Sequence, residues 1–159
     1  MTARRIEHGP HYEDFTVGQR FEHHWGRTFA EGDALWYANM TMQYNPIYFN
    51  APYARELGYR GILVHPLFVF TTALGLSVED LSEGGGPFLG VDDLDFHAPV
   101  YPGDTITSCS VVLSMRTSDK RPGWGIVEWR TWAVNQSGEK VVEFRRRNLS
   151  RMKTPPKGN

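Results

Sequence analysis

One stretch limits the fold of this chain more than any other. Between His65 and Ser77, Leu67-Phe68-Val69-Phe70 is followed by Ala73, Leu74 and Leu76, so the segment is apolar nearly all round. Pro66 suits the first position of a helix, where its missing N–H would have no helical partner. A helix with little polar face must be covered on most sides. The apolar run Ile62 to Leu76 is shorter than the roughly 20 residues of a membrane-crossing helix, so that cover has to be protein.

The rest of the chain offers the cover. Gly84-Gly85-Gly86-Pro87 breaks the backbone, better read as a linker than a phosphate loop because no Lys-Ser/Thr follows it. Strands are predicted beyond it over Phe88 to His97, Asp104 to Arg116, Trp124 to Asn135 and Lys140 to Met152. Hairpin chemistry joins them at Lys120-Arg121-Pro122-Gly123 and Asn135-Gln136-Ser137-Gly138. One apolar helix and four long antiparallel strands predict an α+β, hot-dog-like fold, an antiparallel sheet curled around a central buried helix. Another α+β sandwich is the alternative.

Upstream, residues 1–19 read as an extended lead-in and Arg20 to Phe29 as a first strand that completes the sheet. Thr28-Phe29-Ala30-Glu31 matches a capping box, predicting a helix with Leu35, Ala38 and Met42 on its core face. Asn45-Pro46 should stop that helix, because the residue before proline is pushed out of the α region. A short helix is predicted over Pro52 to Leu57. The expected layout is a lead-in over 1–19, one domain over 20–153 and a loose tail over 154–159.

Charge excludes some roles. Lys plus Arg total 17 against 18 Asp plus Glu, a net charge of -1, which gives no electrostatic reason to expect nucleic acid or a membrane surface as partner. Cys109 is the single cysteine, which rules out an internal disulfide and fits a reducing compartment; its alternating surroundings predict a buried structural thiol. The polar N-terminus (Arg4, Arg5, Glu7, His8) lacks a signal-peptide core, so the cytoplasm is the expected location. His23 and His24 should point to opposite faces of a strand, and no metal site is expected. On the last strand, alternation sends Arg146 to the face opposite Arg145 and Arg147.

Several segments resemble one family in order and spacing. They are Tyr12-Glu13-Asp14-Phe15-Thr16-Val17-Gly18, Arg27-Thr28-Phe29-Ala30-Glu31, Asn45-Pro46-Ile47 and Phe96-His97-Ala98-Pro99-Val100-Tyr101-Pro102-Gly103-Asp104-Thr105. Together they resemble the MaoC-like dehydratases, a family similar to the R-specific enoyl-CoA hydratases. Leu74-Gly75-Leu76-Ser77-Val78 and Arg121-Pro122 are similar to the branch of mesaconyl-CoA hydratases. The resemblance implies a hot-dog fold, a dimer with an acyl tunnel between subunits, and a hydro-lyase adding water to a 2,3-enoyl thioester. No cofactor is implied, coenzyme A entering only as part of the substrate.

Such chemistry needs a base for water, a proton for the neighbouring carbon and a donor to the thioester oxygen. In the family an Asp and a His hold the water, and a backbone N–H after a second His supports the oxygen. Gln43 and Tyr48 stand at the first two positions here, and Pro66 follows His65. Gln43 can bind a water without accepting its proton, and Tyr48 can donate one. His65 heads the apolar helix, where the dipole favours the neutral ring that could serve as base. The resemblance therefore places catalysis at Gln43, Tyr48 and His65, and substrate contacts at Asn45, Pro46, Pro66 and His97. The implied dimer is a homodimer or a heterodimer with a paralogue. The alternative is a non-catalytic acyl-thioester-binding subunit paired with a catalytically complete paralogue, or a pocket repurposed for other chemistry.

Overall fold

The structure is a computed structural model, and it describes residues 8–154. The expectations for Arg4, Arg5, Glu7 and the tail beyond Thr154 lie outside those residues. Among them six strands form one antiparallel sheet: β1 (Arg20–Glu22), β2 (Arg27–Thr28), β3 (Phe88–Phe96), β4 (Thr105–Thr117), β5 (Trp124–Asn135) and β6 (Lys140–Arg151). The sheet order is β1-β4-β5-β6-β3, with β2 also on β4. Among the described residues four α-helices accompany it: α1 (Glu31–Met40), α2 (Ala51–Glu56), α3 (Pro66–Leu76) and α4 (Val78–Leu81). The sheet wraps α3, which is the hot-dog arrangement expected.

The four long strands and α3 form where their local patterns place them. Along β4, β5 and β6 burial alternates, so one face of each strand meets the helix. Around the first half of α3 the core holds Phe29, Val64, Val69, Ala73, Ile106, Ala133, Val142 and Phe144. Phe70 meets the ring of Phe144 edge-on at 4.8 Å, locking α3 to β6. Fully burying a side chain of that size contributes about 1.5–3 kcal/mol. Val69 and Ala73 are buried, whereas Leu67, Thr71 and Gly75 form an exposed stripe at helical spacing.

Elsewhere tertiary pairing overrides local signals. The first strand is two pieces, β1 and β2, both laid on β4. Thr28 belongs to β2, where its hydroxyl meets Thr105 Oγ1 at 2.6 Å across the strands, so it does not cap α1. Ala30 is the N-cap, without a side-chain bond. Nor does α1 reach Asn45-Pro46. It ends at Met40, and Met42 takes a positive φ of 54° with 71% exposure, outside the core. Ala34 and Ala38 are the buried positions of α1. The lead-in holds a 3-10 turn at Tyr12–Asp14 and a buried Phe15, which packs edge-on against Trp129. Cys109 is half-buried rather than buried, because it faces away from the helix between inward Ser108 and Ser110.

A polar band divides the interior. On β4, Ser108 and Ser110 separate Ile106 from Val112; on β5, Thr131 separates Ala133 from Trp129. His23 ties the band together. Its Nδ1 lies 2.6 Å from Asp80 Oδ2 and its Nε2 2.9 Å from Ser110 Oγ, which lies 2.8 Å from Thr131 Oγ1. The order Asp-His-Ser resembles a hydrolase triad, but Ser110 is fully buried, so no substrate can meet its hydroxyl. Arg146 completes the band at 1% exposure, its guanidinium 5.3 Å over the Trp129 ring and donating to Ser77 O at 3.4 Å. It lies on the face opposite Arg145 and Arg147, as alternation predicts, and that face is the inner one; Arg145 and Arg147 pair with Asp93 and Asp92.

This interior makes folding sensitive to acid. Burial holds His23 below the ordinary histidine range, outweighing the opposing pull of Asp80; Arg146 and His24 push the same way as burial. Burial alone lowers His65. The unfolded chain takes up both protons near pH 6.5, and the folded chain only at lower pH. Stability from these groups is thus complete above about pH 6.5 and declines as pH falls through that value towards the folded pKa values. Urea midpoints are expected to be lower at pH 5.5 than at pH 7.5, and equal midpoints would contradict the assignment.

Candidate active site

A cleft of about 310 Å³ opens beside the N-terminus of α3. Its floor is apolar, with Leu63, Val64, Val69, Val100 and Val141. Tyr48, Tyr59 and Pro66 line it from the helical side, and Phe96 and His97 from the segment leaving β3. Among these lining residues none is Asp, Glu, Lys, Arg or Cys.

Local chain chemistry presents Tyr48. Asn45 Oδ1 accepts the Ile47 N–H at 3.3 Å and caps a 3-10 turn, Pro46–Tyr48, with Pro46 as its first residue. Asn45 and Pro46 therefore shape the turn and do not line the cleft. Asn50 caps α2 in the same way, its Oδ1 accepting the Tyr53 N–H at 3.2 Å. Gln43 also stands apart, half-buried, its Nε2 donating to Thr41 O at 3.5 Å. The Tyr48 ring is half-buried and packs on His65 with centroids 4.7 Å apart. Tyr37 lies on His65 as well, at 5.5 Å. Burial, reinforced by Tyr59, raises the Tyr48 pKa, so the phenol keeps its proton at neutral pH.

His65 is the N-cap of α3, and its role there decides its chemistry. Its Nδ1 accepts the Leu67 N–H at 3.2 Å. An accepting Nδ1 carries no proton, so the neutral ring holds its hydrogen on Nε2. His65 is in this state a donor. The same cap occupies the helix end: Pro66 has no N–H, Leu67 N–H is taken by the ring, and Phe68 and Val69 N–H go to His65 O at 2.9 and 3.1 Å. No free backbone N–H remains in the first turn to meet a substrate oxygen.

Asp104, which is 4% exposed, ties Arg60 to Tyr101, the chain neighbours of the lining residues Tyr59 and Val100. Its carboxylate accepts from Arg60 Nη2 at 2.5 Å, Gln136 Nε2 at 2.9 Å and the Tyr101 N–H at 2.9 Å. Burial would raise its pKa, but these hydrogen bonds and the Arg60 charge outweigh it and lower it. Arg60 also stacks over Tyr101 at 4.1 Å. Asp104, Tyr59 and Phe96 were not singled out from sequence as site residues. Tyr59 ends an aromatic-rich stretch begun by Tyr44, yet Tyr44 is 72% exposed, so composition alone could not choose between them.

Among the described residues no three His, Cys, Asp or Glu side chains converge as a metal site. No helix among them is long and apolar enough to cross a membrane.

A sheet wrapped on an apolar helix, with a cleft between the helix N-terminus and the β3–β4 connection, defines a MaoC-like hot-dog unit. Similarity to known proteins agrees. A MaoC domain protein dehydratase from Chloroflexus aurantiacus superposes with a TM-score of 0.89 at 31% identity, over 98% of this chain and 44% of that one. A double-hot-dog protein of Mycobacterium tuberculosis shares the fold at a TM-score of 0.76 and 23% identity, over 95% of this chain and 47% of that one. The mesaconyl-CoA hydratase of Haloarcula hispanica is 36% identical over 94% of this chain and 42% of its own length. The chain thus spans less than half the length of such relatives. It belongs to the mesaconyl-CoA hydratase family, whose model matches residues 2–158.

Proposed function

We propose that this chain is a hydro-lyase that adds or removes water across the 2,3 bond of an enoyl-CoA thioester. The observation that carries this reading is the apolar cleft closed by a neutral phenol on one wall and a histidine on the other. A volume at the small end of ligand pockets suits a short acyl group.

The steps follow from the groups present. Tyr48 O–H donates to the thioester oxygen, a task that the first turn of α3 cannot perform. His65 supports the Tyr48 ring from behind. Tyr48 and Tyr59 are phenols, and His65 already holds its proton on Nε2. His97 is therefore the remaining lining side chain whose ring nitrogen can accept a proton from water. It takes that proton as the water oxygen bonds to C3; the C2–C3 π pair moves toward the thioester, whose oxygen gains charge against Tyr48. The imidazolium then returns the proton to C2. The net change is H on C2 and OH on C3, with coenzyme A present only as part of the substrate.

A second reading assigns the chain to thioester binding, with acid and base supplied by another hot-dog unit. The absence of a carboxylate among the lining residues favours it, as do the exposed Trp36, Met40 and Leu67 beside the helix layer. Incubating the purified protein with short 2,3-enoyl-CoA thioesters and following loss of enoyl absorbance separates the two. Turnover supports the hydro-lyase. Saturable binding without turnover rejects it in favour of the second reading.

A further inference from the structure

A second cleft, of about 290 Å³, adjoins the first: Tyr59, Leu63 and Val100 line one, and their chain neighbours Arg60, Ile62 and Tyr101 line the other. Two guanidinium groups, those of Arg55 and Arg60, stand in this second lining. Arg60 is fixed and yet presented. The buried Asp104 carboxylate takes one of its N–H groups and the guanidinium stacks over Tyr101 at 4.1 Å, while the side chain stays 60% exposed. Gln136 and the Tyr101 N–H hold Asp104 in turn, so the fork is oriented before any ligand arrives. A guanidinium carries several N–H donors, and Asp104 engages only the Nη2 end of this one. Arg55, in the last turn of α2, is exposed and makes no ion pair among the described residues. Among the described lining residues the one carboxylate is Glu31, in the first turn of α1, where the helix dipole offsets part of its charge. Two arginines at an open cleft, one of them pre-oriented, match the planar oxygen pairs of a phosphate group.

We propose that the cleft of Arg55 and Arg60 is a phosphate subsite, which takes a phosphate group of coenzyme A when a thioester is bound. This rests on the acyl-thioester reading and adds a hold on the carrier. Coenzyme A bears its phosphates at the far end of the pantetheine arm, so their subsite belongs beside the reaction cleft and not within it. Butyryl-CoA and butyryl-pantetheine present the same thioester, have no double bond to react, and differ in the phosphates and the nucleotide. In calorimetric titrations the parent is expected to bind butyryl-CoA at least roughly tenfold more tightly than butyryl-pantetheine. Arg55→Gln should weaken butyryl-CoA by roughly tenfold and butyryl-pantetheine by less than about twofold. Arg60→Lys keeps a charge for Asp104 but loses the fork, and should act in the same direction. Equal parental affinity for the two ligands overturns the subsite, as does a parental Kd for butyryl-CoA in both variants; the thioester reading then stands. Equal weakening of both ligands also overturns it, because the arginines would then act through the fold. A parent that binds neither ligand removes the subsite and the thioester reading together.

Discussion

Replacing Tyr48 by Phe is expected to lower kcat/KM for enoyl-CoA hydration by roughly 100- to 1000-fold, the usual cost of one oxyanion donor. The expectation is this large because the chain has no spare donor at the helix end. Pro66 lacks an N–H, and the next three N–H groups are held by His65. Phe keeps the ring that packs on His65 at 4.7 Å, so the fold and the cleft shape should survive. Thermal unfolding of the variant should match the parent, and binding of a saturated acyl-CoA should weaken far less than turnover. A variant that retains near-parental kcat/KM would mean that the thioester oxygen is held elsewhere.

His97→Gln is the second large effect, with kcat expected to fall by roughly 100- to 10,000-fold, the range for a general base. Gln keeps a polar side chain of similar reach but cannot accept a proton from water. His97 is exposed, and its backbone N–H donates to Val141 O at 3.0 Å, a bond that Gln preserves. The decisive readout is the split between turnover and binding: kcat should collapse while the Kd of a saturated acyl-CoA stays near the parental value. If His97→Gln keeps the parental kcat, another group is the base.

Tyr48 was legible from sequence as a pocket residue only through the resemblance, and the same likeness placed Gln43 beside it. The structure puts Tyr48 in the cleft and Gln43 outside its lining, because the turn capped by Asn45 aims one residue inward and leaves the other near Thr41. His65 was legible as a helix N-terminus. That its Nδ1 would serve as the cap could not be read from residue order, since a cap bond depends on a side-chain torsion.

The chain itself determined the elements that rest on repeating local patterns. Apolar residues at nearly every position made α3 a helix needing cover, and alternation made β4, β5 and β6 strands with Arg146 on the face opposite Arg145 and Arg147. Only the tertiary structure decided where weak local signals yielded. Thr28 joined Thr105 instead of capping α1, and Met42 left the core because the helix ended two residues before it. The cleft belongs to this second kind. Its walls come from the turn at Tyr48, the segment Tyr59–Val69, the β3–β4 connection and Val141 on β6. Residues so far apart in the chain meet through sheet pairing and packing around α3, and no local pattern encodes that meeting.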